Sequence, residues 1–516
     1  MRATLTSRDA SRVKAWKVGL LTLVLALAVG LIRPGASWGA STYDPAGDPY
    51  SMQNITAGDG AQAWWNSGVT GQGVDVALID TGVAPVPALD GNGKIVNGPD
   101  LSLESQNPNL RYLDTNGHGT FMAGIIGGND GQPGGYRGVA PDSRILSIKV
   151  GDADGGVDVS QVIAAIDWVV QHRTDHGMNI RVLNLSYGTD SSQPFVVDPL
   201  AFAVERAWKA GIVVVTGAGN TGPGSGLADP AYDPWVVAVG AADTMGTPSI
   251  SDDQPASFSA GASGCAFLDC RAPDLLAPGV HIQGLRDPGS YVDQNNPSAD
   301  LGDQYFRGSG TSEAAAYVTG AVALLLQRYP YLSPDQVKAM LTESSDPLAG
   351  FSKLWQGAGE LDLGALLADS PPRNARQVHL LSFGTGSLEA SRGSNHLSLG
   401  GVVLRGQEDI FGERFNSLRM AMLEAQGSSW SGGRWNGSQW TGDSWNGSSW
   451  SGSSWSGSSW SGSSWSGSSW SNLSWSGNSW GGSSWSGSSW SGSSWSGSSW
   501  SGSSWSGDQW LGASWG

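Results

Sequence analysis

Val74-Asp75-Val76-Ala77-Leu78-Ile79-Asp80 is a short apolar run that ends in an acid. Its length suits a strand better than a helix, and its apolar residues fall on both faces. A strand buried on both faces belongs in a parallel sheet with helices above and below. Four further runs read the same way: Ile145 to Val150, Val182 to Ser186, Ile212 to Val215 and Trp235 to Val239. Between them, 160–172 and 199–209 carry apolar residues at helical spacing, and a longer helix is predicted from Ser312 to Arg328. Ser333 followed by Pro334 predicts a further helix to Thr342, with serine as its cap and proline in its first turn. The expected fold class is α/β, a parallel β-sheet flanked by helices on both faces.

The chain has 516 residues and a formal net charge of −17. Nucleic acid is excluded as a partner, because its phosphates call for clustered Lys and Arg. A negative surface serves mainly solubility. In 1–40, Arg2, Arg8, Arg12, Lys14 and Lys17 precede an apolar run from Val18 to Ile32, and small residues follow. That pattern reads as a signal peptide cleaved after Gly39, with an uncleaved N-terminal anchor as the alternative. The run is shorter than the roughly 20 residues a spanning helix needs. The expected location is secreted or cell surface. In an exported chain, the nearby Cys265 and Cys270 are expected to form a disulfide, two buried thiols being the alternative.

Three segments carry chemistry. Asp80-Thr81-Gly82 puts an acid at the end of a buried strand, and Asn116-Gly117-His118-Gly119-Thr120 puts a histidine between glycines. Gly308-Ser309-Gly310-Thr311-Ser312 puts a serine at the start of a helix. A serine hydroxyl is a weak nucleophile and needs a base within reach. Imidazole serves near neutral pH, and a buried carboxylate can hold its tautomer. Singly, each residue has a plain structural reading: a turn cap, a histidine without a task, a helix cap. Together, in this order and on these elements, they point to a nucleophilic hydrolase.

With these motifs the chain, from 53 to 368, resembles the subtilisin-like serine proteases, the subtilases. Gly68-Val69-Thr70-Gly71-Gln72-Gly73, Gly138-Val139-Ala140-Pro141, Ala277-Pro278-Gly279 and Gly357-Ala358-Gly359 add to the likeness. The order Asp, His, Ser is that of subtilisin. The resemblance implies a serine endopeptidase with Asp80, His118 and Ser312 as catalytic triad and Asn220 as oxyanion donor. It implies a peptide-binding strand at Ser186, Tyr187 and Gly188, a facing strand near Gly155, and a side-chain pocket walled by Tyr187, Ala218 and Gly219. Substrates would be proteins or peptides. No cofactor is required and no metal is expected at the catalytic site. Structural calcium, common in the family, is left open, with Gly128 to Gln132 as the loop that has donors.

The chain departs from the family where Glu313-Ala314-Ala315-Ala316-Tyr317 replaces the usual Met-Ala-Ala-Pro-His after the serine. Glu313 is expected to set a negative charge beside the developing oxyanion. Ser41 to Met52 is too short for the folding-assisting prodomain that many members carry.

Ser370-Pro371-Pro372 marks a boundary, and 369–427 reads as a linker or a small β-rich segment with one short helix near Leu418 to Ala425. From 428 to 516 the chain is a repeat of approximately Trp-Ser-Gly-Ser-Ser, with 18 of the 26 tryptophans at every fifth position. The tail reads either as a spacer or as an adhesive surface for carbohydrate or the cell surface. The rival to the enzyme is therefore a catalytically weak or inactive subtilase-fold adhesin displayed by its tail.

Overall fold

All six residues of strand β1 (Asp75–Asp80) are buried, and both of its neighbours run parallel to it. The computed structural model describes residues 43–107, 109–262, 271–399 and 402–440, with short segments at 473–476 and 510–511. Residues 1–42, which hold the expected signal peptide, the pair Cys265 and Cys270, and most of the repeat beyond Trp440 lie outside the described residues.

The main sheet contains β1, β2 (Ile95–Asp100), β3 (Arg144–Lys149), β4 (Ile180–Leu185), β5 (Val213–Gly217), β6 (Val237–Asp243), β7 (Gln254–Pro255) and β8 (Leu275–Pro278). A separate hairpin follows, β9 (Ile282–Leu285) with β10 (Tyr305–Ser309). Two short strands, β11 (Ser345–Asp346) and β12 (Glu360–Leu361), then close one edge of the main sheet. The spatial order β2-β3-β1-β4-β5-β6-β8 is parallel throughout. The chain builds to one side of β1 with β2 and β3, and to the other side with β4 onward. Such a reversal opens a crevice outside the carboxyl ends of the central strands, where open α/β sheets bind ligands. Asp80 is the last residue of β1 and stands at that crevice.

Six described helices have nine residues or more: α1 (His118–Gly127), α2 (Val159–His172), α3 (Pro199–Lys209), α4 (Thr311–Arg328), α5 (Pro334–Glu343) and α6 (Ser417–Ala425). α4 packs on α1 and across β4, β5, β6 and β8, whereas α2 and α3 pack together against β1 and β5. Local chemistry fixes their starts. Asp158 and Gln161 form a capping box on α2, Asp198 caps α3 with Pro199 following, and Ser333 and Gln336 form a capping box on α5.

The segment after the boundary at Pro371 is docked on α2 and α3. Arg392 is fully buried and pairs with Asp158, the cap of α2, at 2.5 Å. The Ser382 N–H donates to Glu205 at 2.6 Å, and the Gln193 side chain donates to the Ser387 carbonyl at 2.8 Å. Two short strands, β13 (His396–Leu399) and β14 (Val402–Val403), precede α6, which lies along α3.

The first tryptophans of the repeat are core residues. Strands β15 (Trp430–Ser431), β16 (Arg434–Trp435) and β17 (Ser438–Gln439) form a three-stranded antiparallel meander. Trp430, Trp435 and Trp440 are buried, with Trp435 against Phe415, Trp440 against Phe411 and Trp430 against Trp440. Their indole N–H groups donate to the Ala164 carbonyl, the Asp167 carboxylate and the Trp435 carbonyl at 2.7, 2.7 and 3.0 Å. Burying such rings with satisfied N–H groups stabilises by about 3–5 kcal/mol each. A chain ending at residue 427 should therefore unfold well below one ending at 440. That second step should cost more than removing everything beyond 440. Thermal unfolding of the two truncations checks this; equal midpoints would show that the three rings contribute nothing.

Candidate active site

The loop between β2 and α1 is organised by a residue that sequence reading did not single out, Asp114. One of its oxygens accepts from the N–H of Gly117 at 2.8 Å and the hydroxyl of Thr81 at 2.8 Å. The other accepts from the N–H and hydroxyl of Thr120 at 2.7 and 2.6 Å. Asp114 thereby ties the start of α1 to the residue after Asp80. The signal was present in Asp114-Thr115-Asn116-Gly117, an acid followed by turn formers before a helix.

His118 opens α1, and its Nδ1 lies 2.7 Å from Asp80 Oδ1, with both side chains buried. The same oxygen accepts the Thr81 N–H at 2.8 Å. With Nδ1–H on the Asp80 side, Nε2 is the nitrogen left to take a proton. Gly119 has to be glycine, because a Cβ there would stand 2.0 Å from the Gly82 carbonyl oxygen. Lys149, register partner of Asp80 on β3, is buried in an ion pair with Glu104 at 2.7 Å. Its ammonium also donates to the carbonyls of Thr81 and Leu113 at 3.1 and 2.6 Å, which ties the residue after Asp80 to the loop that carries Asp114.

Burial pushes the Asp80 carboxyl up, while the charge and hydrogen bond of His118 pull against it. For His118, burial favours the neutral ring. The charge of Asp80, its hydrogen bond and the charge of Glu313 outweigh burial and hold the ring above the usual histidine value. Three carboxyl groups, of Asp80, Glu313 and Asp114, thus act on one imidazole.

Ser312 is the second residue of α4 and is fully buried; its hydroxyl has no hydrogen-bond partner among the described residues. The helix is fastened at this end by a chain of side chains. Thr319 donates to Asn184 at 2.8 Å, Asn184 to Ser186 at 3.0 Å, and Ser186 to the Ser312 carbonyl at 3.4 Å. Asn220 follows β5, and its Oδ1 accepts the Thr311 N–H at 3.0 Å. Because that partner is a donor, the amide is oriented, and its Nδ2 is directed elsewhere. The Gly219 N–H donates to the Thr311 hydroxyl at 3.1 Å.

The residues expected to hold substrate fall into two groups. Ser186, Tyr187 and Gly188 follow β4, while Ala218 and Gly219 follow β5, its parallel neighbour. Ala228, missed in the sequence, lies between them: a Cβ on Gly188 would come within 2.7 Å of its methyl, and one on Gly219 within 3.4 Å. Tyr187 is 1 % exposed, under the electrostatic influence of Asp158, Asp229 and Arg392. Gly155 lies in a loop outside the sheet, in a turn where its N–H donates to the Asp152 carbonyl at 3.0 Å.

The loop with expected calcium donors spends them locally. Asp130 accepts from the N–H groups of Gln132 and Tyr136 at 2.9 and 2.8 Å, and the Asn129 side-chain oxygen accepts from Gly131 at 3.0 Å. Among the described residues, no three His, Cys, Asp or Glu side chains are grouped as metal ligands.

Known proteins resemble this chain over the region that carries the site. The model of the subtilase family matches residues 71–386. The chain is 39 % identical over 299 residues to serine protease AprX of Bacillus subtilis (strain 168), a match spanning 57 % of this chain and 66 % of that protein. It is 34 % identical over 321 residues to subtilisin DY of Bacillus licheniformis, covering 61 % of this chain and 97 % of that one. A thermostable alkaline protease of Halalkalibacterium halodurans (strain ATCC BAA-125 / DSM 18197 / FERM 7344 / JCM 9153 / C-125) is 33 % identical over 294 residues, 57 % of this chain and 67 % of its own. The chain belongs to the subtilase family of serine-type endopeptidases.

Proposed function

We propose that the chain is an exported serine endopeptidase that hydrolyses peptide bonds in proteins or peptides through an acyl-enzyme, with Asp80, His118 and Ser312 as its triad. The observation that carries this reading is the 2.7 Å hydrogen bond between two buried side chains, His118 and Asp80, at the end of the central strand. In this mechanism, Ser312 Oγ attacks the scissile carbonyl and gives its proton to His118 Nε2. The carbonyl oxygen becomes an oxyanion, and Asp80 stabilises the imidazolium. His118 then returns the proton to the leaving amine, and water repeats the sequence on the acyl-enzyme. The oxyanion is held by the Ser312 N–H, at the positive end of α4, and by Asn220 Nδ2.

Substrate would lie extended between the backbone after β4 and the loop at Gly155, and gain hydrogen bonds that are blind to sequence. A pocket bounded by Gly188, Ala218, Gly219 and Ala228 would select the side chain before the cut. The small residues there leave room for a large apolar group. Export is supported by the basic residues ahead of the apolar run from Val18 to Ile32. The repeat beyond Trp440, rich in rings and poor in charge, suits many weak contacts with carbohydrate or a cell surface.

Ser312→Ala should abolish hydrolysis of casein, a loss of roughly 10,000-fold or more, while keeping the wild-type unfolding midpoint. A fluorophosphonate should label the wild type and not this variant; full activity in the variant would refute the triad. Asn220→Ala should lower kcat by about 100- to 1,000-fold, a magnitude known for the corresponding donor of subtilisin, with little change in KM. Steady-state kinetics on a peptide anilide separate this from a binding role, which would raise KM alone. Protein recovered from the medium of an exporting host should begin at Ala40. An N-terminus that retains 1–39 would instead favour the anchor.

A further inference from the structure

Glu313 is the third residue of α4, directly after Ser312, and it is fully buried. Neither of its carboxyl oxygens finds a hydrogen-bond partner on another described residue. An unpaired carboxyl in such a place is costly to burial and calls for a reason. Its direction supplies one. A Cβ on Gly308 would stand 2.6 Å from Glu313 Oε1 and 2.7 Å from the ring of Phe121, so the carboxyl lies over Gly308 and beside α1. Phe121 is one turn beyond His118 on that helix. Asn220 binds in the same turn, at the Thr311 N–H. From this buried position the charge of Glu313 acts on His118.

We propose that Glu313 is a positioning residue for the base: a second buried carboxylate that, together with Asp80, stabilises the imidazolium formed when Ser312 gives up its proton. The inference rests on the triad reading and deepens it. The groups that act on Glu313 are His118 on α1 and Asp80 at the end of β1, and Asp114 acts on both of these. Arg307, beside Gly308 on β10, turns its guanidinium to Asp48 and to the His281 carbonyl. Gln283 on β9 carries no charge.

Burial pushes the Glu313 carboxyl up to about 7, against the pull of His118. Its charge therefore changes in the range where the base must be neutral to work. An ionised Glu313 favours the imidazolium, so removing that charge should make His118 easier to deprotonate. The sign follows: the acidic limb of kcat/KM should move to lower pH.

The experiment compares wild type, Glu313→Gln and Glu313→Asp by pH profiles of kcat/KM on a peptide anilide. Fluorophosphonate labelling and thermal unfolding are measured on each. Glu313→Gln should shift the acidic midpoint down by roughly half a pH unit or more and lower the plateau several-fold, because imidazolium stabilisation is lost. Glu313→Asp, which keeps the charge, should lie closer to wild type. A folded, labelled Glu313→Gln whose midpoint is unmoved or raised would overturn the proposal. Wild type that fails to label would instead overturn the triad on which it rests.

Discussion

Burying the carboxylate of Asp80 is the constraint from which the rest of the site follows. A charged carboxyl at the end of a fully buried strand is expensive unless every lone pair is used or a cation faces it. Oδ1 takes the Thr81 N–H and His118 Nδ1, and that second contact fixes the imidazole's tautomer along with its orientation. The histidine can meet this demand only if α1 begins at one place. Asp114 sets that place by accepting from both Gly117 and Thr120, and Lys149 holds the loop from behind through the Leu113 carbonyl. Four ionisable side chains with little or no exposure are thus spent on one hydrogen bond. Stability alone would favour replacing them with apolar groups, since buried ion pairs seldom outperform hydrophobic packing. Their presence suits the proposed role of His118 as base, which needs a fixed ring.

Topology brings the remaining parts to the same spot. Because the chain builds outward on both sides of β1, residues after β4 and β5 emerge next to Asp80 without long loops. Ser186, Gly188, Ala218, Gly219 and Asn220 all leave from those two carboxyl ends. α4 then crosses β4, β5, β6 and β8, and its first turn is bonded to both strand exits, through Ser186 and Asn220. Ser312 is thus held in place from the sheet itself.

Much of this was legible in the sequence wherever one local rule operated undisturbed. The apolar runs became β1, β3, β4, β5 and β6, and Ser333-Pro334 capped a helix as its chemistry required. β2 was hidden because Ile95-Val96-Asn97-Gly98-Pro99-Asp100 is half polar and carries a proline, features of an edge strand. β8 was hidden because Leu275-Leu276-Ala277-Pro278 is too short to announce itself. At the site, the motifs around Asp80, His118 and Ser312 were readable, whereas Asp114 showed only a local turn signal and Ala228 none. Asp114 works through bonds to Thr81 and Thr120, and Ala228 through contact with two glycines distant in sequence. Neither relation leaves a periodic trace. Glu313 was visible as a departure, but the direction of its side chain depended on Gly308 and Phe121.

The tryptophan repeat shows how a period can mislead when the chain is assumed to continue straight. In one extended strand, residues five apart point to opposite faces. Here the chain reverses between repeats, so that Trp430 stands opposite Trp435 across β15 and β16. Reversal restores a common face, and the rings of Trp430 and Trp435 both meet that of Trp440, at 6.4 and 5.4 Å between centroids. The intervening Ser, Gly and Asn residues supply the tight turns, with Gly432, Gly433, Asn436 and Gly437 all at positive φ. From 430 to 439, two-residue strands alternate with two-residue turns. The indole N–H of Trp440 closes on the carbonyl of Trp435, one repeat back, so a buried ring satisfies its polar atom within the repeat itself. Trp430 and Trp435 bond instead to Ala164 and Asp167 of α2, which makes the opening of the repeat part of the peptidase core.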